Sequence, residues 1–533
     1  MVRRRCREKL LQKITGRSIS YHLRPVAPGG HSTKRRPESA LAPARFRRPQ
    51  RPHCKTATAA MACSAAVTAP QNSSKCFVPK ASCGKSRRAT RSSRFVPRSA
   101  ASPASQATVH WPDGAGTAEA GDVTATASVA NLGARGTIAT GLPFLDHMID
   151  QLTSHAQLGV SVVVTRGGNA SEPCVDESGT LEEDTVVARL AGAALGQALK
   201  HVIAPGVHLV ASEKTEKSSA SATFAAPLDE AYATCVLDVS TKNSALYFEL
   251  APYGPGTGRE FIGTYKTALT QPFWEALQDN LAIGVSLKKQ RGDNAHHIVE
   301  ATFKAFARCL RTLMDQIESV DSEPTMTSTD PPHRTSRKAR STKETTIDVA
   351  VDLDCETGNT SKVTTGIETL DELLLALAHE SGFDMQIAAQ GDLWIDDHHT
   401  TEDVAITIGQ VLNESLGDKA GCNRMGRAVA EVNNCTVEVI ADLSNRPYLG
   451  NGLHFADEKI GDLSTEMVDH LFMSITTNGQ MTAHIVDHSG SDKNESDLAL
   501  ASVKAFGKCL KQCAAIDPRR AGAVASSKGT LSV

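Results

Sequence analysis

Two stretches of the chain alternate apolar and polar residues with a period of two. They are Thr346-Ile347-Asp348-Val349-Ala350-Val351-Asp352-Leu353 and Cys435-Thr436-Val437-Glu438-Val439-Ile440-Ala441-Asp442-Leu443. That period predicts strands with one buried face. Leu370–His379 and Glu402–Leu416 instead space their apolar residues three and four apart, which predicts helices with one apolar stripe. Strands with one wet face suit antiparallel sheets that carry helices on the other face, so the expected class is α+β.

The pattern occurs twice. Thr140-Gly141-Leu142-Pro143-Phe144-Leu145-Asp146-His147 is answered by Thr365-Gly366-Ile367-Glu368-Thr369-Leu370-Asp371-Glu372. Phe303-Lys304-Ala305-Phe306-Ala307-Arg308-Cys309-Leu310 is answered by Val503-Lys504-Ala505-Phe506-Gly507-Lys508-Cys509-Leu510. The offset falls from 225 to 200 between these landmarks, so the first copy is longer. Its largest excess is the polar stretch Ser212–Ala222, which reads as a loop insertion. A period near 200 residues means whole domains rather than a solenoid. The expected layout is copy one over 120–319, a Ser/Thr/Pro/Lys/Arg-rich linker over 320–343, and copy two over 344–533. A fainter repeat runs inside each copy: strands, a helix, then a second helix.

Charge adds a third region. Residues 1–110 hold 24 Lys/Arg against only Glu8 and Glu38, leaving 33 basic and 57 acidic residues in the rest. This aperiodic, Arg/Ser/Ala/Pro-rich leader has the composition of an organelle transit peptide, with Met61-Ala62-Cys63 as a second possible start and the pattern of a plastid sequence after it. A disordered nucleic-acid-binding arm fits the same charge, but the acidic body would oppose phosphate binding, so no nucleic-acid partner is expected. No run of about 18 consecutive apolar residues suggests a membrane partner. Thirteen cysteines without metal-finger spacing, five of them in the leader, predict free thiols.

Candidate chemistry centres on Asp396-Asp397-His398-His399-Thr400-Thr401-Glu402. Positions i and i+4 share a helix face, so His398 and Glu402 can grip one cation. Imidazole with carboxylate suits Mn, Fe, Co, Ni or Zn. A polar helix start capped by Asp397 is the plain alternative.

Taken together, these motifs resemble the imidazoleglycerol-phosphate dehydratase family. The residues that carry the resemblance are Phe144–Leu152, Ala226–Ala231, His296–Phe306, Asp396–Ala405 and the tail Asp517-Pro518-Arg519-Arg520…Ser526-Ser527-Lys528-Gly529. The resemblance covers nearly everything from about 120 onward, as two family domains. It implies a fold of sheet-plus-helix halves like the second domain of ribosomal protein S5. It also implies Mn-dependent loss of water from imidazole glycerol phosphate to give imidazole acetol phosphate, in histidine biosynthesis. The family builds its two-metal sites at subunit interfaces within large shells, which implies a large homo-oligomer.

Each family motif survives in one copy only. Copy one keeps His147, His296, His297 and Glu300, but has Ser178, Gly179 and Pro272 where the other ligands would fall. Copy two keeps His398, His399, Glu402 and His470, but has Glu372, Ser496, Asp497 and Leu500 at the remaining places. The resemblance therefore implies one composite site holding two Mn ions. One ion would take His147, His297, His398 and Glu402; the other His296, Glu300, His399 and His470. Substrate imidazole would bridge the two, with Glu344 as general acid/base. The phosphate and its surroundings would fall to Gln151, His155 and Lys304 of copy one with Arg424, Arg446, Ser526, Ser527 and Lys528 of copy two. Asp229 and Glu230 orient ligands or open a strand. A catalytically inactive assembly partner of a normal dehydratase is the competing reading.

Overall fold

The computed structural model describes residues 111–132, 135–167, 179–212, 221–240, 246–321, 333–355, 360–520, 522–527 and 530–531. The leader, Ser178, Lys528 and most of the Ser212–Ala222 insertion lie outside these residues.

One unit is built four times. A hairpin is followed by a short third strand, a crossover helix, a fourth strand and a second helix. The first unit has strands Gly114–Ala120, Val123–Asn131, Ile138–Ala139 and Leu158–Arg166 with helices α1 (Pro143–Ala156) and α2 (Leu181–Ser212). The second has Ser221–Leu228, Ala231–Asp238, Tyr247–Glu249 and Gly284–Arg291 with α3 (Thr270–Leu281) and α4 (Ala295–Asp321). The third has Thr335–Ser341, Thr345–Asp352, Lys362–Thr364 and Asp384–Gly391 with α5 (Glu368–Ser381) and α6 (His398–Leu416). The fourth has Met425–Val432, Cys435–Asp442, Tyr448–Asn451 and Thr482–Asp487 with α7 (Thr465–Asn478) and α8 (Glu495–Ala514). In every sheet the spatial order is first, second, fourth, third. The hairpins are antiparallel, and the third and fourth strands pair in parallel around the crossover helix. The class is α+β, in two tandem pairs of sheet-plus-helix units.

Strand alternation does the sorting. Val123, Ala125, Ala127 and Val129 bury one face of the first sheet together with Val160, Val162 and Val164 of the adjacent strand. The recurring Thr-Gly-x-x-x-Leu-Asp signature has a local cause. Asp146 accepts from the Thr140 backbone N–H at 2.9 Å and from its hydroxyl at 2.5 Å, fixing how the chain enters α1. Asp371 does the same for Thr365 at 2.8 and 2.6 Å before α5. This clasp is kept in both copies even though the next residue changes from His147 to Glu372.

The stretch 320–343 is not all linker. Thr335–Ser341 forms the edge strand of the third sheet, paired with Thr345–Asp352. It carries no apolar side chain beyond Ala339, because as an edge strand it contributes backbone pairing rather than core. Leu181–Ala204 of α2 is long and apolar enough to cross a membrane by length and composition, yet two thirds of it is buried against α3 and the first sheet, as in a core helix. The seven described cysteines are free.

Helices from neighbouring units pair across each copy. In copy one α1 packs on α4 and α2 on α3; in copy two α5 packs on α8 and α6 on α7. Each copy has its own core. A smaller cluster of Ala225, Tyr232 and Ile440 joins the copies. The tail of copy two then folds onto copy one. Gln157 donates to Asp517 at 2.6 Å, Arg519 to Asp315 at 2.5 Å, and Arg520 to the Ser154 carbonyl at 3.2 Å. Arg135 donates to the carbonyls of Ser526 and Ser527 at 2.9 and 3.2 Å.

Candidate active site at the seam between the copies

A cavity of about 500 Å³ opens where the tail crosses onto copy one. Copy one lines it with His147, Gln151, His155, His296, His297, Glu300 and Lys304. Copy two adds Arg424, Ser444, Arg446, Ser526 and Ser527. Apolar and polar walls meet here as expected of a small-molecule pocket.

At one end stand three ligand-type side chains. His147 Nε2, His296 Nε2 and a Glu300 carboxylate oxygen lie within 4.8 Å of one another. Glu300 Oε2 is 3.6 Å from His147 and 3.1 Å from His296. The pairing follows from the fold: His147 sits in the first turn and a half of α1, and His296 and Glu300 one turn apart at the start of the partner helix α4. Burial opposes ionisation of Glu300. The Lys304 ammonium, 2.8 Å away, and hydrogen bonds from His147 and His296 outweigh it and hold the carboxyl well below its usual range. His297 stands apart, its Nδ1 2.7 Å from Glu230.

At the other end cations gather. Arg424 forms a buried two-pronged pair with Asp442 at 2.6 and 2.8 Å, and its remaining Nη1 donates to the Ala525 carbonyl at 2.6 Å. Arg446 pairs with Asp229 of copy one at 2.8 Å. Burial pushes His155 well below the usual histidine range, and the positive charges of Arg424, Lys304, Arg520 and Arg308 push it further, so the ring is neutral. Among the described residues, neither of its buried nitrogens has a hydrogen-bond partner. Neutral His155, Lys304 and the two arginines suit a phosphate or other compact dianion.

The second ligand group lies elsewhere on copy two. His398 Nε2 is 3.8 Å from Glu402, and the His470 ring lies 4.9 Å from that of His398. His470 Nδ1 is buried with no partner among the described residues. His399 turns aside, its Nδ1 3.1 Å from Asp392, while Asp392 and the more distant Glu344 charge both favour the protonated ring. Glu344 is exposed in the turn between the first two strands of the third unit. Asp397 occupies the cap position of α6 but makes no side-chain cap bond. Its carboxylate instead holds Ser464 at the start of α7, fixing the two ligand helices together. None of His398, His399, Glu402, His470 or Glu344 lines the seam cavity. The two ligand groups, expected to meet between the domains, are not brought together within one chain.

The helix pairing explains the pattern of losses. Pro272 lies on α3, and Ser178 and Gly179 precede α2, its packing partner. Glu372 lies on α5, and Ser496, Asp497 and Leu500 on α8, again partners. Copy one has lost the three histidines of one ligand group, with Glu182 still opposite Glu402, and copy two has lost the whole of the other group, so the copies kept opposite ones.

The family model of imidazoleglycerol-phosphate dehydratase matches residues 140–310 and 365–510, more than half of the chain. The chain belongs to the imidazoleglycerol-phosphate dehydratase family. Members of this family are hydro-lyases. A dehydratase of Microcystis aeruginosa is 42% identical over 200 residues, 38% of this chain and 94% of that protein. The chloroplastic dehydratase 1 of Triticum aestivum is 43% identical over 193 residues, 36% of this chain and 70% of that one. The crystal structure of the Staphylococcus aureus enzyme is 30% identical, covers 34% of this chain and 99% of that one, and has a TM-score of 0.31. Each relative thus spans little more than a third of the chain, as one family domain would.

Sequence reasoning had not singled out Asp392 or Ser444. Asp392 lies six residues before His398, beyond a turn, at a spacing no regular period marks.

Proposed function

We propose that the chain dehydrates imidazole glycerol phosphate to imidazole acetol phosphate in histidine biosynthesis, at a composite two-Mn site. The observation that carries this reading is the seam cavity, where three ligand side chains of copy one face cations supplied by copy two. The ligand group of one chain's copy one would be completed by that of another chain's copy two, in a large homo-oligomer. Two tandem domains, the second beginning with strand Thr335–Ser341, would each contribute half a site. The chloroplastic names of the plant relatives and the basic leader favour a plastid location.

The donor set fits a borderline divalent ion: imidazoles and one carboxylate in each group, with an orphaned His470 nitrogen in the second. The contacts favour a different ligand division from that implied by the resemblance alone. His147, His296 and Glu300 form one group and His398, Glu402 and His470 the other, leaving His399 and His297 as the fourth ligand each group would receive from its neighbour. When bound, the metals supply Lewis acidity to the substrate imidazole. The chain's own residues do the rest. Lys304, Arg424, Arg446 and Ser526 bind and orient the phosphate, holding the glycerol between it and the ligand group. Glu344, brought in beside the second group, moves the proton at the carbon that loses it and at the departing hydroxyl.

The test is to purify the protein, load it with Mn(II) and assay dehydration, with His296→Ala and His398→Ala in parallel. Both changes should abolish turnover. A well-folded, metal-loaded wild type without activity would favour the inactive assembly partner instead.

A further inference from the structure

The hairpin turn Asp229–Glu230 is held at both ends. Asp229 adopts a left-handed backbone at φ 49° and is clamped by copy two: its carboxylate takes Arg446 at 2.8 Å, and its carbonyl takes His484 Nε2 at 2.9 Å. Glu230 next to it faces the other way, toward α4. There its Oε2 lies 2.7 Å from His297 Nδ1 and its Oε1 accepts the Asn294 backbone N–H at 3.3 Å. A carboxylate at that distance accepts Nδ1–H, which leaves Nε2 as the ring's lone-pair nitrogen.

We propose that Glu230 is a positioning residue for His297, fixing the tautomer and ring orientation in which this histidine serves as the ligand that copy one lends to a second copy of the chain. The inference rests on the composite-site reading. Three observations support it. His297 is the one member of the copy-one set that stands apart from the His147–His296–Glu300 group. Copy two uses a comparable device: its own set-apart histidine, His399, is held at Nδ1 by Asp392 at 3.1 Å. Finally, the device is gone where the histidine is gone. Asn433 and Asn434 replace Asp229 and Glu230 in the fourth unit, and Asn433 donates at 2.8 Å to Asp497, which stands where the second histidine would be. An ordinary surface ion pair would be worth little to stability and would give no reason for this matched loss.

The test uses the full chain with Glu230→Gln, Glu230→Asp and His297→Ala. Mn(II) affinity is read from the electron paramagnetic resonance of free Mn(II), and folding from circular dichroism in EDTA. Glu230→Gln should weaken Mn(II) binding roughly 10- to 100-fold with the metal-free melt unchanged. Glu230→Asp should recover part of that loss. In turnover, kcat at subsaturating Mn(II) should fall while KM for substrate stays the same. Wild-type Mn(II) affinity in Glu230→Gln, alongside weakened binding in His297→Ala, would overturn the positioning role and leave the composite reading intact. Wild-type affinity in His297→Ala would overturn both.

Discussion

His484 offers a sharp test of how the copies are joined. It is fully buried at the seam, against Tyr232 of copy one and Tyr448 of copy two at ring distances of 4.8 and 5.5 Å. Its Nε2 donates to the Asp229 carbonyl at 2.9 Å, and its Nδ1 accepts from Arg291 at 3.4 Å. Gly450 makes room for that contact, since a Cβ there would stand 2.2 Å from Arg291 Nη1. Burial and then the Arg291 charge disfavour protonation; the Asp229 carbonyl and the Glu230 charge only partly offset them, and the ring is lowered to about 4. In the unfolded chain it titrates near 6.5. Between these values the unfolded state binds the proton and the folded state does not. The stability is therefore fully present above pH 6.5 and is lost as pH falls toward 4. At about 1.4 kcal/mol per tenfold change in proton affinity, the whole window is worth about 3 kcal/mol. Urea unfolding in EDTA at pH 7.5, 6.5, 5.5 and 4.5 should show this loss in the wild type. In His484→Gln, which can still donate to the Asp229 carbonyl, the dependence should flatten by about that amount. Parallel pH curves for the two proteins would refute the buried neutral histidine.

Arg424→Met should leave Asp442 as an uncompensated buried charge and cost about 3–5 kcal/mol of stability by chemical unfolding. Arg424→Met combined with Asp442→Leu should restore most of that stability while KM for substrate stays raised; recovery of KM would remove Arg424 from the phosphate end. Glu344→Gln should lower kcat by about 10²- to 10⁴-fold at unchanged Mn(II) binding, and unchanged kcat would shift the proton transfer elsewhere. Treatment with EDTA should abolish turnover and reduce the native mass of the assembly, with both returning on Mn(II) addition. An assembly mass indifferent to metal would argue against ligands shared between chains.

Much of this was legible in the sequence because the repeated landmarks are long and local. Thr140…Asp146 and Thr365…Asp371 could be paired by eye, and the period-two runs at 346–353 and 435–443 gave two central strands nearly to the residue. The spacing of His398 and Glu402 was sufficient to place them together on α6. What spacing could not supply was which helix packs on which. His147 joins His296 and Glu300 because α1 lies on α4, a contact between helices more than 100 residues apart in the chain. The same fact turns four scattered motif losses into two, one per helix pair. The strand Thr335–Ser341 escaped notice because its half-buried face, under α6, is made of Ser336, Lys338 and Arg340, so no apolar alternation marks it. Arg424, Arg446 and Ser526, singled out in the sequence, all line the seam cavity, but their meeting with copy one depends on the tail crossing to Gln157 and Asp315, which no local pattern announces.

The most direct test of the account asks whether one site needs two chains. His296→Ala disables the ligand group of copy one, and His398→Ala that of copy two. Each variant alone should be inactive. Mixed, dissociated with EDTA and reassembled with Mn(II), they should regain roughly a quarter of wild-type activity, the share of interfaces at which random pairing brings two intact halves together. A mixture as inactive as its components, while wild type carried through the same cycle recovers fully, would contradict a site shared between chains.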